Sequence, residues 1–136
     1  MPDLSQLSVG QKIAEKNFQI TRDSLVRYAG ASGDFNPIHY RDDVAQAVGL
    51  PGVLAHGMLT MGISISPVVE WVGDAGKVID YSVRFTKPVV VPAQGSATLF
   101  VSAVVGAIEE GKARIDITTS FEGNNVLGKA QAWVKP

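Results

Sequence analysis

The chain has no cysteine among its 136 residues, which excludes disulfide bonds, thiolate nucleophiles and cysteine-ligated metal sites. Its two histidines lie apart in the sequence, so a zinc site is not expected either. The net charge of -1 gives no basic surface for a nucleic acid backbone. No stretch resembles a membrane span or a signal peptide. We therefore expect no metal, no nucleic acid and no membrane partner, and a cytoplasmic location by default.

The composition is that of an ordinary folded domain. Apolar residues make up 46% of the chain and charged residues 18%, which is enough apolar material for one core at this length. No repeat or low-complexity segment divides the sequence. We expect a single domain that covers residues 1–136.

The first half of the chain predicts short elements followed by one long helix. After a short strand that ends at Ile20, Thr21 can cap a helix that runs to about Ala31. From about His56 to Val72 nearly every residue is apolar or small, which predicts a helix that is buried all round. Because Pro67 removes a backbone hydrogen bond, we expect either a kink in this helix or two shorter helices.

The second half predicts strands. Apolar and polar residues alternate over 79–86, the period-two pattern of a strand with one buried and one wetter face. Three further strands, 97–108, 113–121 and 126–134, are separated by segments of hairpin-turn composition. We therefore predict an antiparallel meander, and the order of one helix followed by four strands indicates an α+β fold.

A carboxylate and an imidazole lie five residues apart in the string Gly33-Asp34-Phe35-Asn36-Pro37-Ile38-His39. The Asn36-Pro37 step can turn the chain so that Asp34 and His39 face one cleft. An imidazole exchanges protons near neutral pH, and a carboxylate beside it can orient it or share that work. On spacing alone, a purely structural turn explains the same residues equally well.

The residues around this string favour an acid–base site over a purely structural turn. The run from Tyr28 to His39, with Ala45 six residues later, resembles the hydratase 2 motif of the MaoC-like family of (3R)-specific enoyl-thioester hydratases and dehydratases. Residues 55–62 are similar to the start of that family's central helix, and residues 81–85 to its following strand. The resemblance implies the hot-dog fold, an antiparallel sheet wrapped around one long helix.

The resemblance also implies a chemistry, the reversible removal of water from a (3R)-3-hydroxyacyl thioester without a cofactor. Asp34 and His39 would be the acid–base pair, with the division of proton transfers between them left open. The backbone N–H of Gly57 would stabilise negative charge on the thioester oxygen, since the first N–H groups of a helix are unpaired. Asn36 would brace the loop through side-chain hydrogen bonds, and we expect His56 to satisfy a backbone group or pack at the helix start rather than perform chemistry.

Two further features of the sequence bear on the site. Some family members carry a serine eight residues after the glycine, where this chain has Ile65, which has no hydroxyl to contribute to the site. Arg84, Lys87 and Lys77 can meet the phosphates of coenzyme A or the acidic face of an acyl carrier protein (ACP), although scattered cations usually only aid solubility.

Partner and reaction also have alternatives. Hot-dog domains pair through sheet edges, so the resemblance implies a homodimer or a heterodimer with a related hot-dog subunit, as in the two-subunit (3R)-hydroxyacyl-ACP dehydratases whose catalytic subunit this chain resembles. A hot-dog acyl thioesterase and a noncatalytic acyl-thioester-binding module remain the alternative functions. The pair of Asp34 and His39 favours the lyase, because neither alternative needs an acid and a base beside the carbons next to the thioester.

Overall fold

One antiparallel sheet and one long helix form the body of the protein in a computed structural model that describes residues 2–135. The strand order in the sheet is β1-β3-β4-β6-β2, and the two-residue β5 pairs with β4. The elements are β1 (Lys12–Ile20), α1 (Arg22–Ser32), α2 (Asp42–Ala47), α3 (Gly57–Val72), β2 (Val78–Phe85), β3 (Ala97–Glu109), β4 (Lys112–Phe121), β5 (Asn124–Asn125) and β6 (Leu127–Val134).

The sheet is a meander only in part. Strands β3, β4 and β6 follow one another as antiparallel neighbours, but β2 pairs with β6 at one edge and β1 pairs with β3 at the other. The prediction of a four-strand meander is therefore wrong for β2. Pro88 and Pro92 lack the N–H groups that a strand would need to turn back as a hairpin, and the chain between β2 and β3 makes only an isolated bridge, from Val90 to Leu54.

Helix α3 is one helix in spite of its internal proline, so the alternative of two shorter helices is wrong. Pro67 has no N–H to give to the carbonyl of Ile63, four residues before it. The hydroxyl of Ser66 donates to that carbonyl at 2.7 Å instead. The freed acceptor is thus satisfied within the helix, which lets the helix continue to Val72.

The prediction that α3 is buried all round is also wrong, because the sheet of this chain covers only one side of the helix. The opposite side is open, and Met58 is 58% exposed. Ser64, on the covered side, donates to the carbonyl of Thr60 and shares a 2.6 Å hydrogen bond with Thr119 of β4. The buried stripe consists of Thr60, Ser64, Pro67, Val68 and Val72.

Helix α1 begins as predicted and ends directly before the Asp34–His39 string. Thr21 and Ser24 cap each other's backbone N–H groups in a capping box. Gly33 then ends the helix in the left-handed region, with φ of 78°, a conformation that glycine adopts without strain. The chain leaves α1 sharply at this point.

The core lies between the inner face of the sheet and α3, with Leu25 of α1 closing one side. Between residues 2 and 135, none of the helices combines the length and apolar character needed to cross a bilayer.

Candidate active site

The loop after α1 holds its conformation through short side-chain hydrogen bonds. The N–H of Asp34 donates to Ser32 Oγ at 3.2 Å, and Asp34 Oδ1 accepts from the N–H of Asn36 at 3.2 Å. Asn36 Oδ1 in turn accepts from the N–H of Ile38 at 3.2 Å and caps the 3₁₀ turn Pro37–His39. The same residues therefore stabilise the turn and provide a potential acid–base pair. Asp34 Oδ2 takes part in none of these hydrogen bonds within the loop.

Asp34 and His39 face each other. Asp34 Oδ2 lies 3.8 Å from His39 Nε2, while His39 Nδ1 lies 2.7 Å from the carbonyl oxygen of Leu54. Because a carbonyl can only accept, Nδ1 of the neutral ring carries the proton and Nε2 keeps its lone pair. The 3.8 Å separation exceeds a direct hydrogen bond, yet an oxygen placed about 2.8 Å from both atoms fits beside the line that joins them.

His39 lies on the wall of a cleft of about 310 Å³. The same wall includes Gly57 at the start of α3, and Thr60 one helical turn later. Asp34 is 50% exposed at its side chain and adjoins this wall through His39. The remaining lining residues are Leu54, Ala55, Phe85, Thr86, Lys87, Pro88, Val89, Val126 and Leu127.

Gly57 is the first residue of α3, so its N–H has no partner within the helix and lies at the positive end of the helix dipole. A Cβ added at this position would lie 3.0 Å from Phe85 Cε1 and 3.1 Å from Phe85 Cδ1. The absence of a side chain therefore lets the Phe85 ring lie close against the Gly57 backbone. The cleft wall thus brings together the imidazole of His39 and a helix N-terminus.

His56 lies beneath this pair and is only 1% exposed. Its Nε2 lies 3.2 Å from the backbone oxygen of Asp34, and its ring stacks on His39 with centroids 3.9 Å apart and planes 21° apart. Burial lowers the pKa of His56, an effect that outweighs the opposing hydrogen bond to Asp34. His56 satisfies a backbone group, as expected, but the stack of the two imidazoles was not foreseen.

The three side chains Asp34, His39 and His56 place possible metal-ligand atoms within 4.8 Å of one another. Imidazole lone pairs lie in the ring plane, so two nearly parallel stacked rings direct them side by side rather than toward one ion. The proton-bearing Nε2 of His56 is also occupied by the Asp34 carbonyl. The geometry does not fit a metal centre.

The structure separates the other residues that the sequence singled out. Lys87 lies on the cleft wall and donates to Asn124 Oδ1 at 3.0 Å, whereas Lys77 lies at the opposite end of β2. Ser64, next to Ile65, is bonded to Thr119 within the core. The hydroxyl-bearing residue of α3 among those that line the cleft is Thr60, which the sequence analysis did not single out because a threonine within a helix has no distinctive local pattern.

An antiparallel sheet wrapped on a long helix, with a cleft at the N-terminus of that helix, defines a hot-dog domain. The sequence profile of the MaoC-like domain matches residues 5–125. The chain therefore belongs to the MaoC-like family.

Similar proteins fit this assignment. The chain is 42% identical over 84 residues to 3-hydroxyacyl-thioester dehydratase X of Mycobacterium tuberculosis, a match that covers 62% of this chain and 28% of that protein. It is 33% identical over 117 residues to the (R)-specific enoyl-CoA hydratase of Rhodospirillum rubrum, covering 85% of this chain and 78% of the relative. A solved structure of a MaoC-like dehydratase superposes with a TM-score of 0.95 at 33% identity, over 98% of this chain and 42% of that one.

Proposed function

We propose that this protein catalyses the reversible dehydration of (3R)-3-hydroxyacyl thioesters to trans-2-enoyl thioesters, carried by coenzyme A or ACP. The observation that carries the proposal is the arrangement of His39, which lines the cleft, has its Nδ1 fixed by Leu54 and has its Nε2 directed toward Asp34. The names of the relatives, a 3-hydroxyacyl-thioester dehydratase and an (R)-specific enoyl-CoA hydratase, support the same reaction.

The reaction needs three groups, and the cleft offers a candidate for each. A base must take the C2 proton, an acid must help the C3 hydroxyl leave as water, and a donor must stabilise the negative charge that develops on the thioester oxygen. We assign the C2 proton to His39, the departing or attacking water to Asp34, and the oxyanion to the N–H of Gly57. Both side chains can contact that water across their 3.8 Å gap, so the pair is the unit that acts.

The loop and the helix have separate parts in this scheme. Asn36 holds Asp34 through its N–H and holds the 3₁₀ turn of His39 through Oδ1, which fixes one catalytic side chain relative to the other. The N-terminus of α3 provides the oxyanion donor from outside the loop. The thioester carbonyl would thus lie against Gly57, with C2 and C3 toward His39 and Asp34.

A substrate series tests the reaction class. The purified protein is offered crotonyl-CoA, longer enoyl-CoA thioesters and enoyl-ACP, and the products are separated on a chiral phase. A (3R)-3-hydroxyacyl thioester is the expected product. Release of free thiol would instead support the thioesterase, and tight binding without turnover the binding module.

Two substitutions test the assigned pair. Asp34→Asn keeps an oxygen for the N–H of Asn36, and both Asp34→Asn and His39→Gln should fold while turnover falls by about two to four orders of magnitude, the usual weight of acid–base catalysis. Asp74→Asn is a matched control, because Asp74 Oδ1 accepts from Gly76 N–H in the same type of turn, away from the cleft. Near-normal turnover by either folded variant would refute the assignment.

The proposal also covers the oligomeric state of the protein and its location in the cell. The open side of α3 and the outer edge of β2, which pairs with no strand within residues 2–135, offer a surface for a second hot-dog domain, since exposed strand edges favour pairing. We propose a homodimer or a heterodimer with a related subunit, which sedimentation of the purified chain will distinguish from a monomer. A cytoplasmic location and a single domain over 1–136 stay predictions.

A further inference from the structure

We propose that His56 is a positioning residue, whose buried ring fixes the main chain of Asp34 and the ring of His39 relative to the N–H of Gly57. This inference rests on the proposed function, because it assigns His56 a part in arranging that same site. His56 does not line the cleft and therefore acts through the residues that do.

His56 connects the parts of the site to one another. His56 directly precedes Gly57 in the chain, and its Nε2 lies 3.2 Å from the backbone oxygen of Asp34, 22 residues away. Its ring also stacks on His39 at 3.9 Å. One side chain thus contacts both members of the acid–base pair, and its own backbone leads into the oxyanion donor.

The surroundings of His56 hold its ring in place. Tyr28 of α1 contacts the His56 ring edge-on, with centroids 4.7 Å apart, and His56 is 1% exposed. Asp34, by contrast, lies in a loop with its side chain half exposed. The His56 bond holds the Asp34 backbone from outside its loop, and it joins the loop to the residue that precedes α3, beside the bonds that Leu54 makes to Ile38 and His39.

The imidazole of His56 supplies a hydrogen-bond donor that a phenyl ring of similar size lacks. With Nε2–H donated to the Asp34 carbonyl, the neutral ring leaves Nδ1 as a bare acceptor, and Nδ1 is buried without a hydrogen-bond partner within residues 2–135. A phenylalanine would fill the same space without this unpaired atom. What the imidazole adds is the N–H that holds Asp34.

The two stacked rings therefore carry their protons on different nitrogens. His39 is protonated on Nδ1, toward Leu54, and His56 on Nε2, toward Asp34. Because the chain has only two histidines, ¹⁵N NMR of the imidazoles reads both tautomers directly. We expect one ring of each kind at neutral pH, and a His56 ring protonated on Nδ1 would overturn the inference without any activity assay.

A pair of variants separates the donor from the ring. His56→Phe keeps an aromatic ring against His39 but has no N–H, whereas His56→Gln places an amide N–H near the position of Nε2. We expect kcat of His56→Phe to fall by about 10- to 100-fold with KM within about threefold, because small displacements of reacting groups cost rates of this size. His56→Gln should recover most of the loss.

A double-substitution cycle tests whether His56 acts through Asp34. In the Asp34→Asn background, His56→Phe should cost less than about threefold more, since the carboxylate that it positions is gone. Melting curves report folding, and His56→Leu replaces the phenylalanine variant if the latter does not fold. Equal kcat in the Phe and Gln variants, or independent effects in the cycle, would overturn the inference.

These outcomes are distinct from failure of the proposed function. If the wild-type protein turns over no enoyl or hydroxyacyl thioester, the proposed reaction is wrong whatever the tautomers are. If it hydrates crotonyl-CoA normally and His56→Phe does so equally well, the proposed reaction stands and only the role of His56 fails.

Discussion

Substitution of Gly57 by alanine should separate catalysis from folding. The added methyl group would lie 3.0 Å from Phe85 Cε1, a contact closer than carbon atoms normally make. Phe85 is 55% exposed, so its ring can move outward. Alanine also favours a helix over glycine by up to about 1 kcal/mol. We therefore expect the free energy of unfolding to change by no more than about 1 kcal/mol.

The effect on turnover should be much larger. Both Gly57 and Phe85 line the cleft, so the methyl group and the displaced Phe85 ring would narrow the cleft beside the Gly57 N–H. Loss of one oxyanion donor costs about 10²- to 10³-fold in kcat. The assay is hydration of crotonyl-CoA, followed by the loss of the enoyl thioester's ultraviolet absorbance, beside thermal melting of the same preparation.

Gly30→Ala provides the control for this variant. Gly30 lies within α1, and a Cβ there would meet no heavy atom within 4 Å other than those of its chain neighbours and the backbone of its own helix. It should therefore raise stability by up to about 1 kcal/mol and leave turnover unchanged. If Gly57→Ala retains kcat/KM within about threefold of the wild type, the N–H of Gly57 is not the oxyanion donor.

Three further predictions follow from other parts of the structure. Lys87→Gln should raise KM for CoA thioesters by up to about fivefold, the weight of an exposed ion pair, and leave KM for N-acetylcysteamine thioesters, which lack phosphate, unchanged; equal effects on both would refute phosphate binding. The hydrogen bond from Arg22 holds the pKa of Asp42 below its usual value, so its stabilisation is present at neutral pH and lost as pH falls below about 3.8; Asp42→Asn should melt lower than wild type at pH 7, with the gap closing in acid. Gly106→Ala would place a methyl group 2.2 Å from Asp116 Oδ2 and should cost about 1–3 kcal/mol in urea unfolding, a cost that Asp116→Ala should relieve.

The sequence predicted elements where local rules decide them. The capping residue Thr21 at the start of α1 follows from local hydrogen bonding. Strand β2 follows from alternation, and strands β3, β4 and β6 follow from the turn composition between them. The pairing of β2 with β6 was not predictable in this way, because it depends on where a proline-rich connection crosses the sheet. Likewise, Ser66 compensates for Pro67 through a contact that hydropathy does not report.

In the candidate site, too, the sequence predicted the residues that are close together in the chain but not the contacts between distant ones. The Asp34–His39 string was visible because both residues lie in one turn with recognisable Asn-Pro chemistry. The bond from His56 to Asp34 joins residues 22 positions apart, and the lining by Thr60 and Lys87 depends on how α3 and the segment after β2 meet. Contacts of this kind depend on tertiary packing, which no local pattern specifies.

The stacked histidines show how burial assigns different roles to identical side chains. Two unit charges about 4 Å apart repel by about 4 kcal/mol at an effective dielectric of 20, so rings 3.9 Å apart should not both be imidazolium cations. Burial lowers the pKa of His56, and the positive end of α3 disfavours a cation at that position as well. His39 rather than His56 is therefore the ring that would accept the C2 proton in the proposed reaction, while the field of the helix N-terminus remains available to the negative thioester oxygen at Gly57.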